Sequence, residues 1–546
     1  MKDQKSPSFI TIKNNLFRSL FLVGRFLRKN INYLVLFIFG VVVLTFVSKN
    51  SFLYPRNDWD DLNAFLTMGR GWGHGLIPYK DLFEQKGPVL YAIFYIAGLL
   101  SKTYGGIYLL ECLVMFFNLI FLYKIAQFFL SKRLRLVFCY LSTFFLTLSP
   151  YFLTGGSAEE FMSPLILYGI YLIFRLQKNN FKISLIHYLF IGLSLGILFW
   201  TKYTMIGAFL GFLVTLIIVF LIKRRWKSLI SSLTLIFLGF LTISLIIETY
   251  FFYHHALRAL NFAYFHANIK LYQTDSDLSF FAKIIRTFVR SFKYMANSPW
   301  LLFFLIIGML IVLFSRQVLV NNYSRLLYFA SYLALILTTF IGGQFSSTYY
   351  YLILLPFATI PLGCFLTLYK GNINKFQNLL FAILSLLIIL SLNENLLQTK
   401  FFPLNSANDL HLKTSTSAQK KFAHIIKHHS HPTLLNYNCL DMGMYQAAGV
   451  LPTHKYFEKQ NIPSDKLPQM MDQQNRLIKQ KKVDFVVTRI PYGQPISNVY
   501  PKLKQNYHLV SSHNQTNVGK SFTWLLYKKN NSALKPTSSL KSSLLP

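Results

Sequence analysis

The chain has 546 residues, of which 53% are hydrophobic, 17% aromatic and only 14% charged. Soluble chains carry nearer a quarter charged residues, so this composition excludes an ordinary water-exposed globule; the apolar content excludes disorder and collagen-like or coiled-coil classes. Lysine and arginine number 55 against 19 acids, formally +36, which would point to nucleic acid in a soluble chain but records topology in a membrane chain.

In chain order, residues 1–30 form a basic lead (Lys13, Arg18, Arg25, Arg28, Lys29) suited to lipid headgroups and a cytoplasmic start. A membrane span needs roughly 20 apolar residues. The first such run is 31–47, and no secretory cleavage site follows it, so it reads as a retained span. A long polar loop, 49–105, comes next. Inside it residues 88–100 are apolar but reach only about 20 Å as a helix, which suits a juxtamembrane or re-entrant helix on the outer side. Ten further runs lie at about 106–130, 136–150, 163–175, 185–201, 203–222, 229–247, 299–314, 326–342, 350–369 and 376–393. Eleven spans and a cytoplasmic start put the loops 131–135, 176–184, 223–228, 315–325 and 370–375 inside. Those loops hold thirteen basic residues, Lys223-Arg224-Arg225 among them, and no Asp or Glu, as the positive-inside rule requires. Of the 13 carboxylates in residues 1–394, only Asp3 falls inside.

After residue 394 the character changes. The remainder holds 20 basic residues and 6 acids, a net of +14, and reads as soluble. Residues 483–488 and 522–527 read as strands and 464–481 as a helix. That makes a small α/β domain over 395–530, placed outside by the odd span count, with a frayed tail at 531–546. The expected fold is therefore a polytopic α-helical membrane protein of about 11 spans (31–394) with a C-terminal extracytoplasmic α/β domain. Cys112, Cys139, Cys364 and Cys439 show no paired spacing, so neither a disulfide framework nor a zinc site is expected.

The first outer loop is the densest chemical cluster. It reads Asp58-Trp59-Asp60-Asp61, then Gly69-Arg70-Gly71-Trp72-Gly73-His74-Gly75, then Tyr79-Lys80-Asp81-Leu82-Phe83-Glu84-Gln85-Lys86-Gly87-Pro88. Crowded carboxylates raise one another's pKa and suit a general base or a metal ligand. A lysine at the membrane surface suits a lipid phosphate. The plainer alternative is that Asp60 or Asp61 caps the helix running to about Arg70. The glycine-rich stretch follows a helix, not a strand, so it ends that helix and does not cradle a nucleotide.

Taken together, an acid, a helix, a glycine and Ile-Pro-Tyr-x-Asp-x-Phe-Glu-x-Lys-Gly-Pro just after the first span resemble the GT-C membrane glycosyltransferases. The resemblance is to the branch with protein O-mannosyltransferases and the lipid A aminoarabinose transferase. It is strong over 55–100 and weak across the spans to about 394. Such enzymes move a sugar, with inversion, from a polyprenyl-phosphate carrier to an acceptor hydroxyl on the outer face of the plasma membrane. The resemblance implies Asp61, favoured over Asp60, as catalytic base and Lys86 as donor-phosphate ligand; the charge developing on the phosphate calls for a cation, and Arg70 or a divalent metal could join Lys86 in that role. Glu84 lies two residues before Lys86 where the close pattern has an adjacent Glu, so its role stays open. Glu159 or Glu160, in Gly155-Gly156-Ser157-Ala158-Glu159-Glu160-Phe161, would lie near the acceptor or a metal, as would Glu84 and Asp58. A divalent ion, Mg or Mn, is the one candidate cofactor. The expected partners are a polyprenyl-phosphate sugar, an envelope glycan, lipid or protein acceptor, and membrane lipids, but not nucleic acid.

The chemistry is coherent without the resemblance. A polyprenyl phosphate is a weakly basic leaving group that needs a cation more than an acid, while the acceptor hydroxyl needs a base. A transporter or lipid flippase is the alternative, but transporters place ionisable groups at mid-membrane. A non-enzymatic assembly protein would not need the Asp61, Lys86 and Glu159 set. Weaker features are Lys202, between two spans, which could hold a phosphate or snorkel. His254, His255 and His266 sit on an aromatic outer loop, and Tyr349, Tyr350 and Tyr351 form an interfacial belt. His428, His429 and His431 lack convincing metal partners.

Overall fold

The computed structural model describes residues 30–272, 278–402, 417–496, 501–517 and 520–530. The basic lead before residue 30 and the tail 531–546 lie outside these.

Among the described residues, helices occupy each of the eleven apolar runs. They are Asn30–Val47, Gly105–Ala126, Lys132–Leu146, Ala158–Lys178, Leu185–Lys202, Gly207–Ile222, Trp226–Tyr253, 299–315, Asn322–Phe340, Thr348–Thr367 and Lys375–Ser391. The chain is a multi-pass helical membrane protein. Length and apolar character alone qualify fewer of them. Asn30–Val47, Gly105–Ala126, the run Leu185–Ile222, Trp226–Tyr253 and Thr348–Thr367 pass, and a sixth comes from a bent pair. The shortfall has a physical reason. Lys132–Leu146 and Ala158–Lys178 bury much of their surface against neighbours, and a helix sheltered by protein need not be apolar all round. Leu185–Ile222 is two passes, because Lys202 is extended and the chain reverses there. Arg225 after the second pass donates to the carbonyls of Asn180 (2.9 Å) and Phe181 (3.2 Å) before the first.

The basic loops gather at that same end. Gln177 donates to Val318 O at 3.1 Å and accepts from Asn321 N at 3.3 Å, and Arg133 reaches Ile373 O at 2.7 Å. At the opposite end sits a pair of short helices, Asp60–Gly73 and Pro88–Leu100, packed on each other. Gly69 permits their close crossing, since a Cβ there would stand 2.5 Å from the backbone of Phe94.

Beyond this pair lies a four-stranded mixed sheet: β1 (Leu434–Asn436), β2 (Phe485–Pro491), β3 (Tyr507–Asn517) and β4 (Lys520–Lys529), in the order β1-β2-β4-β3. β1 runs parallel to β2; β4 is antiparallel to β2 and β3. β2 and β4 contain the two expected strands, and the expected helix is Pro468–Lys479, opened by a proline at its first turn. β1 has only three residues and β3 is largely polar, so neither carries a strong strand pattern. The sheet domain is bonded to the loop helices. Thr67 donates to Asp441 (3.2 Å), Arg70 to Gln446 (2.7 Å), and Phe83 N to Lys455 O (2.9 Å).

Candidate active site

The first turn of Asp60–Gly73 carries Asp60 and Asp61, where acidic side chains suit the helix dipole. Neither is the N-cap. That residue is Trp59, without a side-chain cap bond, while Asp60 Oδ1 accepts the Asp61 N–H at 3.0 Å. Lys86 comes from the segment between the two loop helices, which is pinned from several sides. Tyr79 donates to Lys86 O (2.7 Å), Glu84 accepts the Lys86 N–H (2.8 Å), and Asn268 donates to Gln85 O (2.7 Å). Gly87 N donates to Thr201 O at 3.0 Å, and only glycine fits there, because a Cβ would meet Trp200 O at 2.0 Å. The segment is thus seated on the end of Leu185–Lys202.

These constraints bring Lys86 Nζ to 3.6 Å from Asp61 Oδ2 and 3.8 Å from Glu84 Oε1. Tyr349 donates to the same Asp61 oxygen at 2.9 Å. Asp60, Asp61, Glu84, Lys86, Lys202, Tyr349 and Tyr350 all line one cavity of about 250 Å³. That is below the roughly 300–1,000 Å³ of pockets that bury drug-sized ligands. It suits a headgroup-sized piece of a larger molecule. Thr204 and Thr339, also in its wall, have buried hydroxyls with no partner among the described residues. Unsatisfied buried hydroxyls facing a cavity are groups a ligand can satisfy.

The electrostatics differ from residue to residue. Burial, then the charge of Asp61, pushes the Asp60 carboxyl up to about 6, with Arg489 of the sheet domain partly opposing. Burial pulls the Lys86 ammonium down, but Asp61 and Glu84 outweigh it and hold Lys86 well above the usual lysine range. Lys86 is therefore a permanent cation beside a carboxylate it does not close upon.

The remaining expected site residues lie elsewhere. Arg70 does not reach the cavity. It follows Asp61 by nine residues, about half a turn out of phase and about 13 Å along the axis. It bonds Gln446 of the sheet domain instead. Asp58 forms a buried 2.6 Å pair with Lys49; burial pushes its carboxyl up, but Lys49 and Arg56 outweigh that and hold it below the usual range. Glu159 stands behind the cavity wall, bonded to Lys202 Nζ at 2.5 Å. Glu160, on another face of the same helix, accepts from Gly156 N at 2.7 Å and pairs with Glu111. Lys202 lies 3.1 Å from the centre of the Tyr350 ring, which with Glu159 fixes its direction.

Several wall residues carried no sequence signal. Gln460 and Asn461 come from the sheet domain, and Asn268 and Tyr272 from the segment after Trp226–Tyr253. Glu111 was legible as an acid inside an apolar helix, which marks a residue worth tracing. Among the described residues no three His, Cys, Asp or Glu side chains converge to hold a metal. Of the three carboxylates in the cavity wall, Asp61 and Glu84 face Lys86.

No protein-family model matches this sequence, and no curated protein matches it. Solved structures do. The chain is similar to ArnT from Cupriavidus metallidurans bound to undecaprenyl phosphate, with a TM-score of 0.57 and 12% identity over 90% of this chain and 98% of that one. It is also similar to the apo state of that protein, with a TM-score of 0.55 and 12% identity over 91% and 98%. The likeness is one of fold, and it agrees with the fold implied by the resemblance read from residues 55–100.

Proposed function

We propose that this chain is an inverting glycosyltransferase. It moves a sugar from a polyprenyl-phosphate donor to a hydroxyl of a cell-envelope acceptor on the outer face of the plasma membrane. The observation that carries the reading is the open pair, Asp61 and Lys86 at 3.6 Å on the wall of one cavity. The GT-C fold, and the undecaprenyl phosphate held by a protein of that fold, support the donor class. The meeting of the basic loops at the far end of the bundle supports the orientation.

In this mechanism Asp61 accepts the proton of the acceptor hydroxyl as its oxygen attacks the anomeric carbon. Tyr349 orients the carboxylate by its bond to Oδ2. The bond from the anomeric carbon to the phosphate oxygen breaks on the opposite face, which inverts the configuration. Lys86 stabilises the charge that develops on the departing phosphate. No strong acid is required, because the leaving phosphate is weakly basic. Phe65 lies under the Lys86 ammonium at 5.3 Å and keeps that side of it dry. The sheet domain closes the cavity with Gln460 and Asn461, and its charge of +14 over 395–546 suits an anionic polymeric acceptor.

The test is Asp61→Asn in the purified, reconstituted chain. Polyprenyl-phosphate binding should be retained while sugar transfer falls by about 10²–10⁴-fold. Transfer at the parental rate would remove Asp61 from the mechanism.

A further inference from the structure

The helix Phe280–Ala296 has no part in the chemistry above and was not legible as an element within the outer loop 248–298. At about 100° per residue its sequence divides into three sectors. Thr287, Ser291 and Met295 are buried against the bundle. A second sector is apolar yet open: Phe281 is 76% exposed, Ile285 65% and Val289 61%. The third is basic, with Lys283, Arg286, Arg290 and Lys293. Among the described residues no carboxylate pairs with Lys283, Arg290 or Lys293. The helix meets the following span, Pro299–Ser315, at 111°. With that span along the bilayer normal, Phe280–Ala296 lies close to the membrane plane.

The same helix holds one wall of the cavity. Arg286 donates to Ile341 O at 3.4 Å, and the guanidinium groups of Arg286 and Arg290 lie 5.7 and 5.9 Å from the Phe345 ring centre. Tyr294 stacks on Tyr351 at 4.5 Å, and Tyr351 donates to Phe345 O at 3.2 Å. Ile341, Gly342, Gln344 and Ser347 of that segment line the cavity.

We infer that Phe280–Ala296 is an interfacial helix docked on an anionic phospholipid surface, and that this docking fixes the 341–347 wall of the cavity. An open apolar sector beside Lys283 and Lys293, which pair with no carboxylate among the described residues, on a helix in the membrane plane, is the arrangement that binds acyl chains and anionic headgroups together. The lipid dependence of turnover rests on the reading of the cavity given above; the docking does not.

Two measurements on the full chain in vesicles separate these. A nitroxide is attached through Phe281→Cys, which labels selectively because the four native cysteines are buried. In phosphatidylcholine vesicles containing phosphatidylglycerol, the label is expected to be reached by dissolved oxygen and shielded from a water-soluble nickel chelate. A label as open to the chelate as one in bulk water would overturn the docking. So would a label protected only at high protein-to-lipid ratio, which would assign the face to a second copy of the chain. In the second arm, adding phosphatidylglycerol to phosphatidylcholine vesicles raises sugar transfer by about fivefold for each lysine engaged. The Lys283→Gln/Lys293→Gln variant keeps the rate in pure phosphatidylcholine and loses the increase. Equal rates in the two membranes, or an increase that survives in the variant, would overturn the coupling. If no membrane supports transfer, the cavity reading fails and the nitroxide result alone decides the helix.

Discussion

Two lysine–carboxylate pairs stand on the long loop after the helix Asn30–Val47, and they have opposite characters. Lys49 and Asp58 touch at 2.6 Å, with side chains only 5% and 6% exposed. Lys86 and Asp61 stand 3.6 Å apart, 17% and 20% exposed, on a cavity wall. A closed, dry pair leaves neither charge available to a ligand. Its partners compensate each other's desolvation, so losing either is costly. An open pair holds a base and a cation apart, each still able to engage something that enters. Only Trp59 and Asp60 separate Asp58 from Asp61, yet one carboxylate belongs to the fold and the other faces the cavity.

The largest expected effects come from crossing the two pairs. Asp61→Asn lowers kcat by about 10²–10⁴-fold, the range for loss of a general base, and leaves the melting temperature unchanged. Asp58→Asn does the reverse, costing about 3–5 kcal/mol of stability by stranding a buried Lys49 charge. Parallel transfer assays and thermal melts on the two variants would read this out; similar profiles for both would erase the distinction. Lys86→Gln comes next, with kcat reduced by about 10²–10³-fold, as for removal of a group that stabilises developing charge. Steady-state kinetics at saturating donor measures it, and a change confined to KM would mean that Lys86 serves binding alone.

Asp60 sharpens the comparison through pH. Burial and the Asp61 charge raise its carboxyl from 3.8 to about 6, so the folded chain binds this proton more tightly than the unfolded chain. The stability this group contributes is full below pH 3.8 and is lost as pH rises through about 6. Asp60→Asn removes that loss. Its melting temperature should exceed the parent's by about 2 °C at pH 7.5 and match it near pH 4, as differential scanning fluorimetry can follow. The smallest effect belongs to a third pair, Lys529 and Asp484, 2.8 Å apart but 38% and 35% exposed. Lys529→Ala should change stability by no more than about 1 kcal/mol, measured by the same melts.

Much of this was legible in the sequence, because the signals were compositional or local. Apolar runs and acid-free loops indicate a polytopic bundle, and the resemblance carried by the motif from Asp61 to Pro88 implies the fold that the solved structures share. What was not legible depends on direction and on distant packing. Arg70 is near Asp61 along the chain but on the far side of the same helix. Asp58 and Asp61 look alike until the lysine that each meets is known. Gln460 and Asn461 lie almost 400 residues from Asp61 in sequence and reach the cavity because the sheet domain folds back over the loop helices. Phe280–Ala296 mixes cations with aromatics, so apolarity alone passes over it, although its period of 3.6 was there to be read.

The most direct test of the central claim is transfer by the purified chain from a set of radiolabelled polyprenyl-phosphate sugars of known anomeric configuration to isolated envelope acceptors. The account predicts that at least one donor gives label in an acceptor with the opposite configuration. Transfer with retained configuration, or no transfer from any donor in the set, would contradict it.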